Sequence, residues 1–184
     1  MDRTLVERAI QGDEDAYAGL MAIAGDRLLA IAYRILRDVH RAEDAVEAAL
    51  VNAWRDLPTL RDPERFDAWL HRLVVHACYS EARGTRRWNS PRVRVLPLSD
   101  FDPDPASSVA DRQALEDAFG RLSPEHRAVV VLHHHLGYPL TEIAETLGVP
   151  VGTARSRLHY AVRQLRAVLD VDVMSAAAIE ERPA

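Results

Sequence analysis

The stretch Leu140-Thr-Glu-Ile-Ala-Glu-Thr-Leu-Gly-Val-Pro-Val-Gly-Thr-Ala-Arg-Ser-Arg-Leu158 decides the reading of this chain. A short amphipathic helix over about 140–147 ends at Gly148, a residue that supplies the positive φ of a tight turn. Val149 plugs the angle between helices, and a second helix begins at once over about 151–169. This is the helix-turn-helix pattern. At about 100° per residue, Val151, Leu158, Val162, Leu165 and Leu169 fall on one side and are expected to face a core. Thr153, Ser156, Arg157, Tyr160 and Arg163 fall opposite, with Arg155, His159 and Arg166 along one margin. Those types suit a major groove: Arg bridges the O6 and N7 acceptors of guanine, while Ser and Thr reach phosphates or bases. The plain alternative is a solvated face, but four Arg stand here against one acid, Asp170.

Working outward, Ser123 caps a helix with Pro124 at its first position, ending near Gly137. A further helix over about 110–120 completes a four-helix body. Upstream, Asn89 to Ala110 contains Pro91, Pro97, Pro103 and Pro105 and reads as an extended linker. Before it lies a second helical body. Thr4-x-x-Glu7 reads as a capping box, and Asp13 caps a long helix that Gly25 and Asp26 could interrupt. Helices follow over about 41–56 and 64–86, the latter with a core stripe of Phe66, Trp69, Leu70, Leu73 and Ala77. The expected fold is all-α: a body over 1–88, a linker over 89–110, a helix-turn-helix body over 111–170 and an acidic tail over 171–184.

Charge narrows the function classes. The 28 acids outweigh 23 basic residues, all Arg, giving a net charge of -5. The excess sits in the linker, with Asp100, Asp102 and Asp104, and in the tail. A protein that grips nucleic acid by charge alone is normally basic overall, so such a role needs local patches or a partner. A single cysteine, Cys78, excludes intrachain disulfides and multi-cysteine metal sites. No apolar run has membrane-span length and the start lacks an apolar signal region, so a cytosolic protein is expected.

A second basic face lies on the helix over 64–86, where Arg65, Arg72, His76, Tyr79, Arg83 and Arg86 share an arc of about 80°. Guanidinium groups interleaved with aromatics suit an unstacked strand; the alternative is a charged solubilising face. Glu43, Asp44 and Glu47 begin the helix over 41–56, where the helix dipole favours acids and a basic partner could also dock. Consecutive His133, His134 and His135 point about 100° apart and cannot all hold one ion. No nucleophile elbow, zincin motif or P-loop occurs, and neither a catalytic constellation nor a cofactor is expected.

The chain resembles the extracytoplasmic-function class of bacterial RNA polymerase sigma factors over nearly its whole length. The resemblance is carried by Tyr33-Arg-Ile-Leu, Ala42-Glu-Asp-Ala-Val-Glu, Ala53-Trp54 and Phe66-Asp-Ala-Trp-Leu-His-Arg-Leu, then Leu122-Ser-Pro-Glu-His-Arg and Gly148-Val-Pro-Val-Gly-Thr-Ala-Arg-Ser-Arg-Leu. It implies that the first body is sigma region 2, which docks on the polymerase clamp helices and captures the melted -10 element. The second is then region 4, with its recognition helix in the -35 major groove. Asp44 and Glu47 become polymerase contacts. The loop from Thr59 to Asp67 and the face Arg65, Arg72, His76, Tyr79, Arg83 and Arg86 become the -10 reader. Thr153, Arg155, Ser156, Arg157, His159, Tyr160 and Arg163 become -35 contacts. The implied partners are core RNA polymerase, promoter DNA and an anti-sigma factor. Two other readings stay open on the residues alone: a dimeric helix-turn-helix regulator with a sensing body, and an enzyme on a helical scaffold.

Overall fold

The computed structural model describes residues 1–84 and 109–180, and among these every regular element is helical. The linker prolines, Arg86 and the last four residues lie outside the described residues. Four helices build the first body: α1 (Arg3–Ile10), α2 (Glu14–Leu36), α3 (Val39–Asp56) and α4 (Phe66–Gly84). The second body comprises α5 (Val109–Arg121), α6 (Pro124–Val130), α7 (Leu140–Leu147) and α8 (Val151–Glu180). The α8 backbone therefore continues well into the stretch expected as a tail.

Local chemistry sets the ends. The cap of α1 is Asp2 rather than Thr4: its Oδ1 accepts from the Thr4 and Leu5 amides at 2.8 and 3.3 Å. Asp13 and Asp38 cap α2 and α3 through the Ala16 and Arg41 amides, at 2.9 and 3.1 Å. Gly25 does not interrupt α2, because Leu20, Ala24, Leu28 and Ile31 carry a fully buried stripe straight past it. Packing of that stripe outweighs the ~1 kcal/mol helix penalty of one glycine. Arg37 closes α2 in the left-handed region at φ 60°, the one non-glycine with positive φ among the described residues. Ser123 caps α6 as expected, accepting from the His126 amide. Past Val130 the chain widens into a π-turn over Val131–His135, so the α-helical geometry stops short of Gly137.

The two bodies do not keep separate cores. One apolar cluster runs from Leu20, Leu28, Ile35, Leu70 and Val74 of the first body to Val129, Leu132, Ile143 and Leu147 of the second. A smaller satellite, Leu122, Val130 and Ala161, lies under α5 and α8. Across the two bodies, α6 and α7 pack against α2 and α4.

Candidate nucleic-acid interface

The helix-turn-helix forms as the glycine demands. Gly148 sits at φ 63°, ψ 38°, and its N–H bonds the Glu145 carbonyl at 3.2 Å. The Val149 N–H reaches back to the Ala144 carbonyl at 3.0 Å, which closes the end of α7. The Pro150 carbonyl accepts from Thr153 and Ala154 and opens α8.

The buried stripe of α8 is rotated from the expected one. Ala154 and Ala161 are fully buried, with Leu158 and Leu165 half-buried beside them. Val151, assigned to the core side, is 37% exposed. The stripe is centred on the two alanines, whose small side chains let α8 approach its neighbours closely. Arg157 and Thr153 consequently turn to the flank and are half-buried, whereas Arg155 and His159 are exposed. Arg155, Ser156, His159 and Arg163 are exposed within an arc of about 100°. Ser156 Oγ donates to the Thr153 carbonyl at 3.0 Å. Tyr160 is 43% exposed, its ring 4.7 Å from that of His126, with the Arg163 guanidinium 5.8 Å from its centroid.

The α4 face is only partly open. Arg65, Arg72 and Arg83 are exposed. His76 is exposed on one side, but its Nε2 lies 3.1 Å from the Thr146 carbonyl of α7. Tyr79 is half-buried with an unpartnered hydroxyl, and burial pushes its pKa up despite the nearby Arg157 charge. The arc is thus open at Arg65, Arg72, His76 and Arg83 and partly covered at Tyr79, with α7 of the second body packed on α4. Arg86 lies outside the described residues.

Asp44 and Glu47 are exposed on α3. On the same face stand Val51, 62% exposed, and Trp54, 38% exposed, its ring 4.9 Å from that of Tyr17 and tilted 56° to it. The sequence reading missed Val51 and Trp54 as surface residues, although their three- and four-residue spacing from Glu47 and Val51 signals a shared stripe. Acid at one end and apolar surface at the other suit a partner protein.

His133 Nδ1 is 3.0 Å from the Tyr138 carbonyl, a local closure of the π-turn. Cys78 is fully buried and its thiol is pushed up to about 12, chiefly by burial, as suits a packing residue. No helix among the described residues is long and apolar enough to cross a membrane.

Comparison with known proteins matches both bodies. The family models for sigma-70 region 2 and sigma-70 region 4 match residues 21–88 and 118–167. The ECF RNA polymerase sigma factor SigL of Mycobacterium tuberculosis is 35% identical, covering 87% of this chain and 94% of the relative. The ECF factor SigW of Bacillus subtilis is 25% identical, covering 90% and 95%. The fold superposes on CnrH in its complex with the cytosolic domain of CnrY, with a TM-score of 0.64, 27% identity and coverage of 93% and 98%. It also superposes on the sigma factor RpoE of Bartonella quintana, solved with the anti-sigma factor NepR, at a TM-score of 0.63 and 23% identity, covering 85% and 98%. Two regions in the right order, and relatives matched over nearly their full length, place this chain in the sigma-70 family, among the extracytoplasmic-function RNA polymerase sigma factors.

Proposed function

We propose that this protein binds core RNA polymerase through α3, directs it to promoters carrying -10 and -35 elements and helps open them, with no catalytic group of its own. The observation that carries the reading is the pairing of an α8 recognition face with a separate, partly acidic and partly apolar α3 face in one sigma-type chain. Asp44 and Glu47, with Val51 and Trp54, form the polymerase contact. Arg155, Ser156, His159 and Arg163 enter the -35 major groove, with Thr153, Arg157 and Tyr160 at its edge. Arg65, Arg72, His76, Tyr79, Arg83 and Arg86 take the melted -10 strand. Unstacking a base costs a few kcal/mol, which contacts to the extruded base must offset.

The net charge of -5 fits a specificity subunit that polymerase delivers, since such a subunit need not hold DNA unaided. CnrH and RpoE were each solved with a partner protein, which supports an anti-sigma factor as a further ligand of this chain, acting in the cytoplasm.

Run-off transcription with core polymerase, with and without this protein, tests the reading. A promoter-dependent transcript only in its presence is expected. Failure to bind polymerase together with absence of any transcript would overturn it, and a stable dimer binding duplex DNA without polymerase would support a stand-alone regulator instead.

A further inference from the structure

We infer that His126 is a positioning residue for the DNA-reading helix: anchored at the cap of α6, its ring braces Tyr160, and Tyr160 in turn holds the Arg163 guanidinium where it meets a backbone phosphate. The inference rests on the role proposed above for α8 and adds to it a residue from a different helix.

The contacts form a line from one helix to the other. Tyr160 is 43% exposed on α8, yet part of its surface is braced by the His126 ring, 4.7 Å away and tilted by 38°. That spacing lies within the range of favourable aromatic pairs. The Arg163 guanidinium stands 5.8 Å from the centroid of the same Tyr160 ring, close enough for the ring to attract the cation. His126 is itself anchored. Its Nδ1 lies 2.8 Å from Ser123 Oγ, the oxygen that also accepts from the His126 amide at 3.4 Å and caps α6. Burial, helped by the Arg157 charge and opposed by Glu125, pushes the His126 pKa below its usual value. At neutral pH the ring is therefore an uncharged brace rather than one more cation.

The surroundings admit an anion. An open groove of about 290 Å³ lies beside the ring pair, and its polar lining is Arg121, Ser123, His126, Tyr160 and Gln164, with no carboxylate. Placement along α8 then selects phosphate over base. Arg163 lies twelve residues past Val151, the first residue of α8. That is about 18 Å along the axis at 1.5 Å per residue, against a major groove about 12 Å wide. The first turns of a recognition helix meet base edges. The fourth turn, which carries Arg163, clears the floor of the groove and reaches its sugar-phosphate wall. A guanidinium oriented in advance surrenders less rotamer freedom on binding, and this is what the brace supplies.

A phosphate contact is indifferent to sequence, so a fluorescein-labelled mixed-sequence duplex is a sufficient probe. The full chain is titrated against it by anisotropy over a series of NaCl concentrations. Arg163→Ala should weaken binding about tenfold, the equivalent of one hydrogen bond to a charged group. It should also flatten the plot of log K against log[salt] by about 0.9. His126→Ala should do the same, although the side chain removed carries no charge. His126→Phe keeps a ring and should restore both values. His126→Asn keeps a polar atom for Ser123 but no ring, and should not. Adding His126→Ala to Arg163→Ala should bring no further loss, with helicity by circular dichroism unchanged throughout.

Absence of salt-dependent binding by the wild type, or a slope unmoved by Arg163→Ala, would overturn the phosphate contact. A slope unmoved by His126→Ala, or one restored by His126→Asn and not by His126→Phe, would overturn the positioning role and leave His126 as a support of α6 alone. A chain that behaves as described but supports no transcript with core polymerase would refute the sigma function while leaving the brace standing.

Discussion

Acidification should destabilise this protein through His71, by an amount that the structure allows to be worked out. The ring is 3% exposed between α4 and the π-turn region. Burial, reinforced by the Arg27 charge and by His135 and opposed by Asp67, pushes its pKa down from 6.5 to about 4. Tyr138 Oη faces Nδ1 and supplies no charge. The folded state thus disfavours the protonated ring. Above pH 6.5 neither state binds the proton, and this group leaves stability unchanged. Between 6.5 and about 4 the unfolded chain takes up a proton that the folded chain refuses, so stability falls as pH falls. Below about 4 both states are protonated and the loss is complete. At 1.36 kcal/mol per unit for one proton, the full loss is about 3 kcal/mol. Urea unfolding of the wild type and of His71→Asn, compared from pH 7.5 to 4.5, isolates this contribution, because the other titrating groups are common to both. The wild-type curve should fall about 2 kcal/mol further than the variant's over that range. Parallel curves would refute the reasoning and show that the ring reaches water in the folded state.

Three further outcomes are expected. Arg155→Ala should weaken binding of the polymerase-bound protein to duplex -35 DNA and lower the salt-dependence slope by about 0.9 if Arg155 meets a phosphate; its exposure predicts no change in Tm. Gly148→Ala should cost about 1–2 kcal/mol, since a Cβ would meet no neighbouring atom yet φ 63° is strained for any L side chain; thermal melting reads it as a Tm loss of several degrees. Ile143→Ala empties a fully buried position under the turn and should cost about 2–5 kcal/mol in a urea titration, with the m-value retained.

Much of the fold was legible because helix periodicity and capping are local. Asp13, Ser123 with Pro124, and Gly148 each fix an element boundary through backbone groups within four residues, and the structure places all three as read. Phase was harder. The sequence stripe of Val151, Leu158, Val162, Leu165 and Leu169 follows the more hydrophobic residues, whereas the helix turns on Ala154 and Ala161 with Leu158 and Leu165 beside them. Small residues mark close approach between helices, and a hydrophobicity pattern underweights them. The π-turn was illegible because it arises from tertiary closure around Leu132 and Tyr138, not from residue preference. The contact between the two bodies was least visible. Arg127 and His71 enter the sequence reading only inside the motifs that carry the resemblance; nothing local says that their partners are Ile35 and Tyr138.

Arg127 has one more consequence. Its guanidinium is 6% exposed and donates to three carbonyls, those of Ile35, Gly120 and Leu122, with no carboxylate among these partners. Burial and the neighbouring charges of Arg37 and Arg41 push its pKa down to about 10, the sign of a cation held where a cation is poorly tolerated. Two of the three carbonyls belong to its own half, so the Ile35 bond is the one by which this ion ties the two halves. Truncation of this one side chain would therefore orphan three carbonyl oxygens at once, one in the first half and two in the second.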